Sequence, residues 1–292
     1  MRLHLVDGTY ELYRAHFSPR PGHRTPAGVD AKATVGVVAS LLSLIGTAEE
    51  SVTHLAVAFD NPIRSFRNDL FPYYKSDEGV PPELRAQFDM VEEGVRALGV
   101  VVWSMDRWEA DDALATGARR FADEVEQVRI MTPDKDLGAC IRGDRVVQID
   151  RRQKKLTNEA SFRQLRGFAP QSMPDYLGLT GDTADGIPGL DGFGDKAASV
   201  LIGAYKRIEN IPRHAFQWSV KPRGALQLAE TLAANRDAAL LYRQLATLID
   251  DVPLQESLED LRFRGVPRAR FEAWCDSVGA TTLKTTPRLW QD

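Results

Sequence analysis

Residues 2–7, RLHLVD, run apolar into a single carboxylate, Asp7, and the same grammar returns at residues 54–60, HLAVAFD, which end on Asp60. A short apolar run that stops on an acid reads as a buried strand carrying a carboxylate at its C-terminal end. Outward from these two, LGVVVW (98–103), VRIMT (128–132) and RVVQI (145–149) are further strand candidates. Between them lie helical patterns at 29–46, 83–98 and 109–121, the first with apolar residues at 35, 38, 41, 42 and 45 and Gly46 as its stop. Strands alternating with helices of about 10–15 residues imply crossover units and a parallel-dominated α/β sheet. In open sheets of that kind the carboxyl ends of the strands share one crevice.

More acids fall where elements end. WEADD (108–112) places Glu109, Asp111 and Asp112 at a helix start, TPDKD (132–136) follows a strand with Asp134 and Asp136, and GDTAD (181–185) adds Asp182 and Asp185 beside a glycine-rich turn. Glu109 and Asp112, three apart, share a helix face in the first turn, where the helix dipole favours negative charge. Each cluster alone also reads as a helix-capping turn; their coincidence at element ends points to convergence in space. Two unit charges at about 4 Å repel by roughly 4 kcal/mol at an effective dielectric near 20, so nine gathered carboxylates call for cations. Hard oxygen donors suit Mg²⁺, with Mn²⁺ as a substitute, and the five histidines (His4, His16, His23, His54, His214) show no metal-ligand spacing. The pattern is that of a metal-dependent enzyme.

GIPGLDGFGDKAA (186–198) is a second signal. Gly189, Gly192 and Gly194 permit tight turning and close approach to a phosphate, and a helix begins near Asp195–Lys196, where free amides and one lysine make an anion site. The spacing is a helix–hairpin–helix signature for sequence-independent contact with a DNA backbone, against the plain alternative of a Gly-rich turn between helices. FRNDLFPYYK (66–75) is weaker: Arg67 and Lys75 could neutralise phosphates and Tyr73 or Tyr74 could stack on an unpaired base, or the stretch is a solvated loop with aromatics pinned to the core. Arg14 in LYRAHF is a phosphate ligand near Asp7 or a surface arginine.

The 292 residues, 43% of them apolar, have room for one large domain or a catalytic domain with an appendage. Two distant cysteines, Cys140 and Cys275, exclude a zinc array or a disulfide framework and fit a reducing compartment. No segment is a signal peptide or membrane span, so a cytoplasmic protein without a membrane partner is expected. The net charge of −4 argues against indiscriminate nucleic-acid binding, but carboxylates pooled at a metal site would leave the remaining surface basic. From about residue 158 the pattern turns to short helices broken by Gly and Pro. Residues 61–82 have no clean period and read as a long excursion over the site.

In this order LVDGTYELYRA, FRNDLFPYYK, WEADD, TPDKDL and GDTADGIPGLDGFGDKAA resemble the 5′ nucleases: the 5′→3′ exonuclease domain of bacterial DNA polymerase I, phage 5′ exonucleases and flap endonucleases. The resemblance runs from residue 2 to about 250. It implies a PIN-like catalytic α/β domain over 1–165 with a helical arch around 61–85. It also implies a helical DNA-binding region over 166–292, whose helix–hairpin–helix lies around 178–206 and can hold K⁺. Asp7, Asp60, Glu109, Asp111, Asp112, Asp134, Asp136, Asp182 and Asp185 fall on the family's carboxylate positions, and Arg14, Tyr74 and Lys75 on residues near the scissile phosphate. The implied reaction is phosphodiester hydrolysis with two metal ions about 3.5–4 Å apart. The implied substrates are DNA 5′ ends, flaps and junctions, gripped by a monomer. With no room for a polymerase domain, the chain reads as a stand-alone nuclease. One departure stands out: Ser76, Asp77 and Glu78 occupy positions that are commonly basic, which should weaken phosphate attraction. The competing readings are a non-catalytic junction binder and, further off, a phosphohydrolase of small esters.

Overall fold

The computed structural model describes residues 1–291. The chain opens with β1 (Arg2–Asp7), α1 (Gly8–His16), α2 (Lys32–Gly46) and β2 (His54–Asp60). The excursion after β2 holds two four-residue helices, α3 (Arg67–Leu70) and α4 (Pro82–Arg85). Then come α5 (Phe88–Ala97), β3 (Val101–Met105), α6 (Ala110–Phe121) and β4 (Gln127–Met131). A 3₁₀ turn at Asp136–Cys140 leads to β5 (Val146–Asp150), β6 (Lys155–Thr157), α7 (Glu159–Arg166) and α8 (Met173–Thr180). Helices α9 (Asp195–Tyr205), α10 (Ala225–Ala234) and α11 (Arg236–Ala246) follow. A final segment carries β7 (Val266–Pro267), α12 (Arg268–Val278) and β8 (Trp290–Gln291).

These elements form two compact units that interleave in sequence. The first comprises Met1–Arg64, Asp77–Thr132 and the segment from Asp250; the second comprises Ser65–Ser76 and Pro133–Ile249.

In the first unit β3, β2, β1 and β4 lie side by side and all parallel. β2 is buried at every position, and β1 from Leu3 on, as expected where helices cover both faces of a parallel sheet. The helix read from residue 29 starts at Lys32. Residues 24–30 instead close a small turn, with Thr25 N–H donating to Val29 O at 2.8 Å and Ala31 N–H to His23 O at 2.9 Å. The buried side chain of Gln87 caps the new helix start, its Oε1 accepting from Ala33 and Thr34 amides at 3.0 Å each. Trp274 of α12 lies so close over Gly94 of α5 that a Cβ there would sit 2.6 Å from its ring. The C-terminal segment is thereby part of this unit's core.

The second unit is an antiparallel β5–β6 hairpin with helices around one apolar cluster that includes Phe162, Phe168, Met173, Tyr176, Leu201 and Ile202. α8 meets α11 closely at Gly178, where a Cβ would stand 2.8 Å from Ala239 O. No helix among the described residues is long and apolar enough to cross a membrane.

Candidate active site

In the first unit Asp7 and Asp60 stand at the C-terminal ends of the neighbouring parallel strands β1 and β2. Asp7 ends β1 and caps α1: Oδ1 accepts from Tyr10 N–H at 2.8 Å, and Oδ2 accepts from the Thr132 hydroxyl, just past β4, at 2.9 Å. Asp60 ends β2; its N–H donates to Thr9 Oγ1 at 2.8 Å, and its Oδ1 accepts from the Ala110 amide at 2.7 Å. That last bond ties the start of α6, and so Glu109, to the end of β2. Glu109 and Asp112 form a reciprocal capping box, with Glu109 N–H donating to Asp112 Oδ2 at 3.1 Å. Asp7, Asp60, Glu109 and Asp112 are buried and Asp111 is half-buried. The bonds that cap the helices also orient these acids.

The second unit holds the tightest cluster. Ligand atoms of Asp136, Asp182 and Asp185 lie within 4.8 Å of one another. A reciprocal backbone pair, Asp182 N–H to Ile187 O and Ile187 N–H to Asp182 O, both 2.8 Å, closes the loop that carries two of them. Asp136 is 5% exposed, and its Oδ1 has no hydrogen-bond partner. Burial first, then the charges of Asp134, Asp185 and Asp182, push its carboxyl well above the usual range. Two ammonium groups balance the others: Lys135 bonds Asp182, and Lys75 Nζ lies 3.1 Å from Asp185 Oδ1. Burial pulls the Lys135 ammonium down, but the Asp182 hydrogen bond and the charges of Asp136, Asp182 and Asp134 outweigh it and raise it. A buried carboxylate with an orphan oxygen beside two more is a donor set that fits a hard cation.

The glycine turn is built by close backbone approach. Gly181 and Gly189 touch, and a Cβ on Gly189 (φ +72°) would lie 2.4 Å from the Thr180 carbonyl carbon. Gly192 takes φ +83°, and Gly194 caps α9 with open space beside its Cα. The Tyr176 hydroxyl donates to Asp195 Oδ1 at 2.5 Å, fixing the start of α9 against α8, while Lys196 is exposed. Free amides, an open glycine face and a lysine are the parts of a phosphate grip.

Residues 2–167 match the 5′-3′ exonuclease N-terminal resolvase-like domain, and residues 168–269 the 5′-3′ exonuclease C-terminal SAM fold. The chain belongs to the 5′-3′ exonuclease family. It is 32% identical over 284 residues to DNA polymerase I of Bacillus caldotenax, covering 95% of this chain and 31% of that one. Against DNA polymerase I of Mycobacterium tuberculosis it is 31% identical over 288 residues, again 31% of the relative's length. The chain therefore spans about a third of the curated relatives it matches. Among solved structures, T5 5′-exonuclease with bound zinc ions aligns at TM-score 0.67 and 17% identity, over 85% of this chain and 90% of that one. The catalytic core of Rad2 in complex with DNA substrate aligns at 0.61 and 13%, over 97% and 90%. These likenesses show the shared fold: a mostly parallel sheet flanked by helices.

In this member of the 5′-3′ exonuclease family three expected contacts take another form. Arg67, read as a phosphate ligand, is 2% exposed and donates to the carbonyls of Leu245 (2.8 Å) and Thr247 (2.9 Å) with its guanidinium against the Phe66 ring. It holds α11's end to α3, because buried carbonyls past a helix need donors. Tyr74, read as a stacking ring, is 4% exposed in the apolar cluster; Tyr73 next to it is 81% exposed. Arg14 bonds Glu11 and donates to Ser40 Oγ at 3.1 Å, an α1–α2 brace with its side chain 34% exposed. Asp77 is a loop clasp, accepting from Ile63 N–H at 2.8 Å and lying 3.5 Å from Arg85 Nε.

Asp185 is half-buried within the cluster, while Asp134 is exposed beside it, its Oδ1 accepting from Asp136 N–H at 3.0 Å. Sequence reasoning passed over Lys135, Thr132, Thr9 and Gly181. The first two lie inside TPDKD and Gly181 opens GDTAD; attention to acids alone hid the residues that orient them.

Proposed function

We propose that the chain is a metal-dependent 5′ nuclease that hydrolyses DNA phosphodiesters at 5′ ends, flaps or junctions. The observation that carries this is the Asp136–Asp182–Asp185 cluster, with its orphan buried oxygen, in the same unit as the glycine grip. A phosphohydrolase of small esters has no use for a second anion contact of that kind. We assign one divalent ion to Asp7, Asp60, Glu109 and Asp111/Asp112, and another to Asp134, Asp136, Asp182 and Asp185. Bound divalent ions would lower the pKa of a water and neutralise charge on the leaving oxygen. Mg²⁺, with Mn²⁺ as substitute, fits the hard oxygen donors; K⁺ at the glycine hairpin is assigned from the family resemblance.

The chain's own groups do the rest. The caps at Asp7, Asp60 and Glu109 hold their carboxylates in fixed directions, so no reorganisation is needed when charge develops. Lys75, placed by Asp185, would stabilise the phosphate's charge. Gly192, Gly194 and Lys196 would hold backbone phosphates without reading sequence. Tyr73 is the exposed ring available to an unpaired base. T5 5′-exonuclease is described with bound metal ions and Rad2 with a DNA substrate, and this chain is proposed to meet both, in the cytoplasm.

The test is cleavage of a 5′-labelled flap duplex in Mg²⁺, with EDTA as control and Asp136→Ala beside it. Metal-dependent cleavage lost in the variant supports the assignment. Tight binding without cleavage in Mg²⁺ or Mn²⁺ overturns it in favour of a junction binder.

A further inference from the structure

We propose that Lys135 is an internal counter-ion that occupies the inner oxygen of Asp182 in the metal-free protein, must leave it when a divalent cation binds, and so sets the affinity of the site. The inference rests on reading the Asp136 cluster as a metal centre.

Asp182 has both oxygens engaged. Oδ1 accepts from the Ala184 amide at 3.1 Å, inside the turn that shapes the loop, and Oδ2 takes the Lys135 ammonium. Only the second bond can be released without remodelling backbone. The Lys135 ammonium on Asp182 Oδ2 places a full positive charge beside the three carboxylates whose ligand atoms lie within 4.8 Å of one another, where a cation would lie. Like charge near a buried cation is costly at low effective dielectric.

Of the two lysines, Lys135 is the one able to leave. Its side chain is 35% exposed, while the Asp182 side chain is 7% exposed, so a flexible four-carbon stem can swing the ammonium into water. Lys75 is tied twice to one residue, by Nζ to Asp185 Oδ1 and by its N–H to Asp185 O at 3.0 Å. Asp136, at the bottom, has no ammonium of its own among the ion pairs and keeps an orphan oxygen. Lysine on Asp182, lysine on Asp185 and nothing on Asp136 Oδ1 describe a site held together by stand-ins with one position kept for an ion.

The experiment is a calorimetric titration of the full chain with Mn²⁺, without DNA, for wild type, Lys135→Met, Lys135→Arg and Asp136→Ala. Lys135→Met is expected to bind Mn²⁺ about tenfold or more tightly than wild type, and to melt at a lower temperature in EDTA. Lys135→Arg, which keeps the charge, should stay near wild type. Unchanged or weaker binding by Lys135→Met overturns the inference, since a mere buttress of Asp182 would loosen the site when removed. Wild type that binds no Mn²⁺, or binds it equally after Asp136→Ala, overturns the metal-centre reading and this inference with it.

Discussion

Lys75 grips Asp185 at two points: its ammonium lies 3.1 Å from Asp185 Oδ1, and its backbone N–H donates to Asp185 O at 3.0 Å. Residues 110 apart in sequence are thus locked in register, the lysine from the excursion after β2 and the aspartate from the loop before the glycine turn. Beside them Gly186 passes so close that a Cβ would stand 2.4 Å from Tyr73 O. The backbone contact does not depend on the lysine side chain. Lys75→Ala should therefore keep the fold and lower flap-cleavage turnover by about 10²–10³, the usual effect of removing one preorganised donor. Single-turnover rates alongside a thermal melt separate the two; a parallel collapse of stability would make Lys75 structural.

Arg67 makes the opposite prediction. Its guanidinium serves the carbonyls of Leu245 and Thr247 in a buried place. Arg67→Ala should cost about 3 kcal/mol by leaving those acceptors unpaired. The salt dependence of DNA binding should not change, because no phosphate contact is lost. Urea denaturation and binding measured at several salt concentrations test both halves.

Asp136→Asn should stabilise the metal-free protein. Burial and three neighbouring acids raise the Asp136 carboxyl, so the folded state favours its neutral form. A raised carboxyl gains stability as pH falls through its folded value. The variant's advantage in EDTA, roughly 1–2 kcal/mol near pH 8, should shrink as the solution is acidified. In Mn²⁺ the order should reverse, since the wild type alone gains from the ion. Melting curves in EDTA and in Mn²⁺ across pH read this directly.

Against β1, Glu50 from the loop before β2 predicts an acid limit. The His4 hydrogen bond, opposed by burial and aided by Arg129, lowers the Glu50 carboxyl to about 2. His4 is itself lowered, by burial first, and its orphan Nδ1 fits a neutral ring donating from Nε2 to Glu50 at 3.0 Å. A depressed carboxyl stabilises the fold above its unfolded value near 4.5, and the effect is lost as pH falls toward about 2. Glu50→Gln should lie below the wild type in stability at neutral pH and converge with it across that acid window. Parallel curves at every pH would show that the ion pair contributes nothing.

The strand runs, the helix starts and the carboxylates were legible because local rules govern them. A parallel strand buried on both faces must be continuously apolar, and an acid that follows it must lie at the sheet's edge, so RLHLVD and HLAVAFD announced both the sheet and Asp7 and Asp60. The start of α9 at Asp195 was equally local, set by glycines that alone accept the turn before it. Past residue 250, where the resemblance ends, no local pattern tells where Trp274 packs, because its contact with Gly94 joins segments far apart in the chain. Nor could residue type say which of two neighbours is buried. Tyr73 and Tyr74, or Arg67 and Lys75, differ in role only through what lies opposite them: the apolar cluster for Tyr74, two helix-end carbonyls for Arg67, Asp185 for Lys75. Chemistry of the groups is written residue by residue; pairing depends on chain segments more than a hundred residues apart meeting in one place, and that is a property of packing.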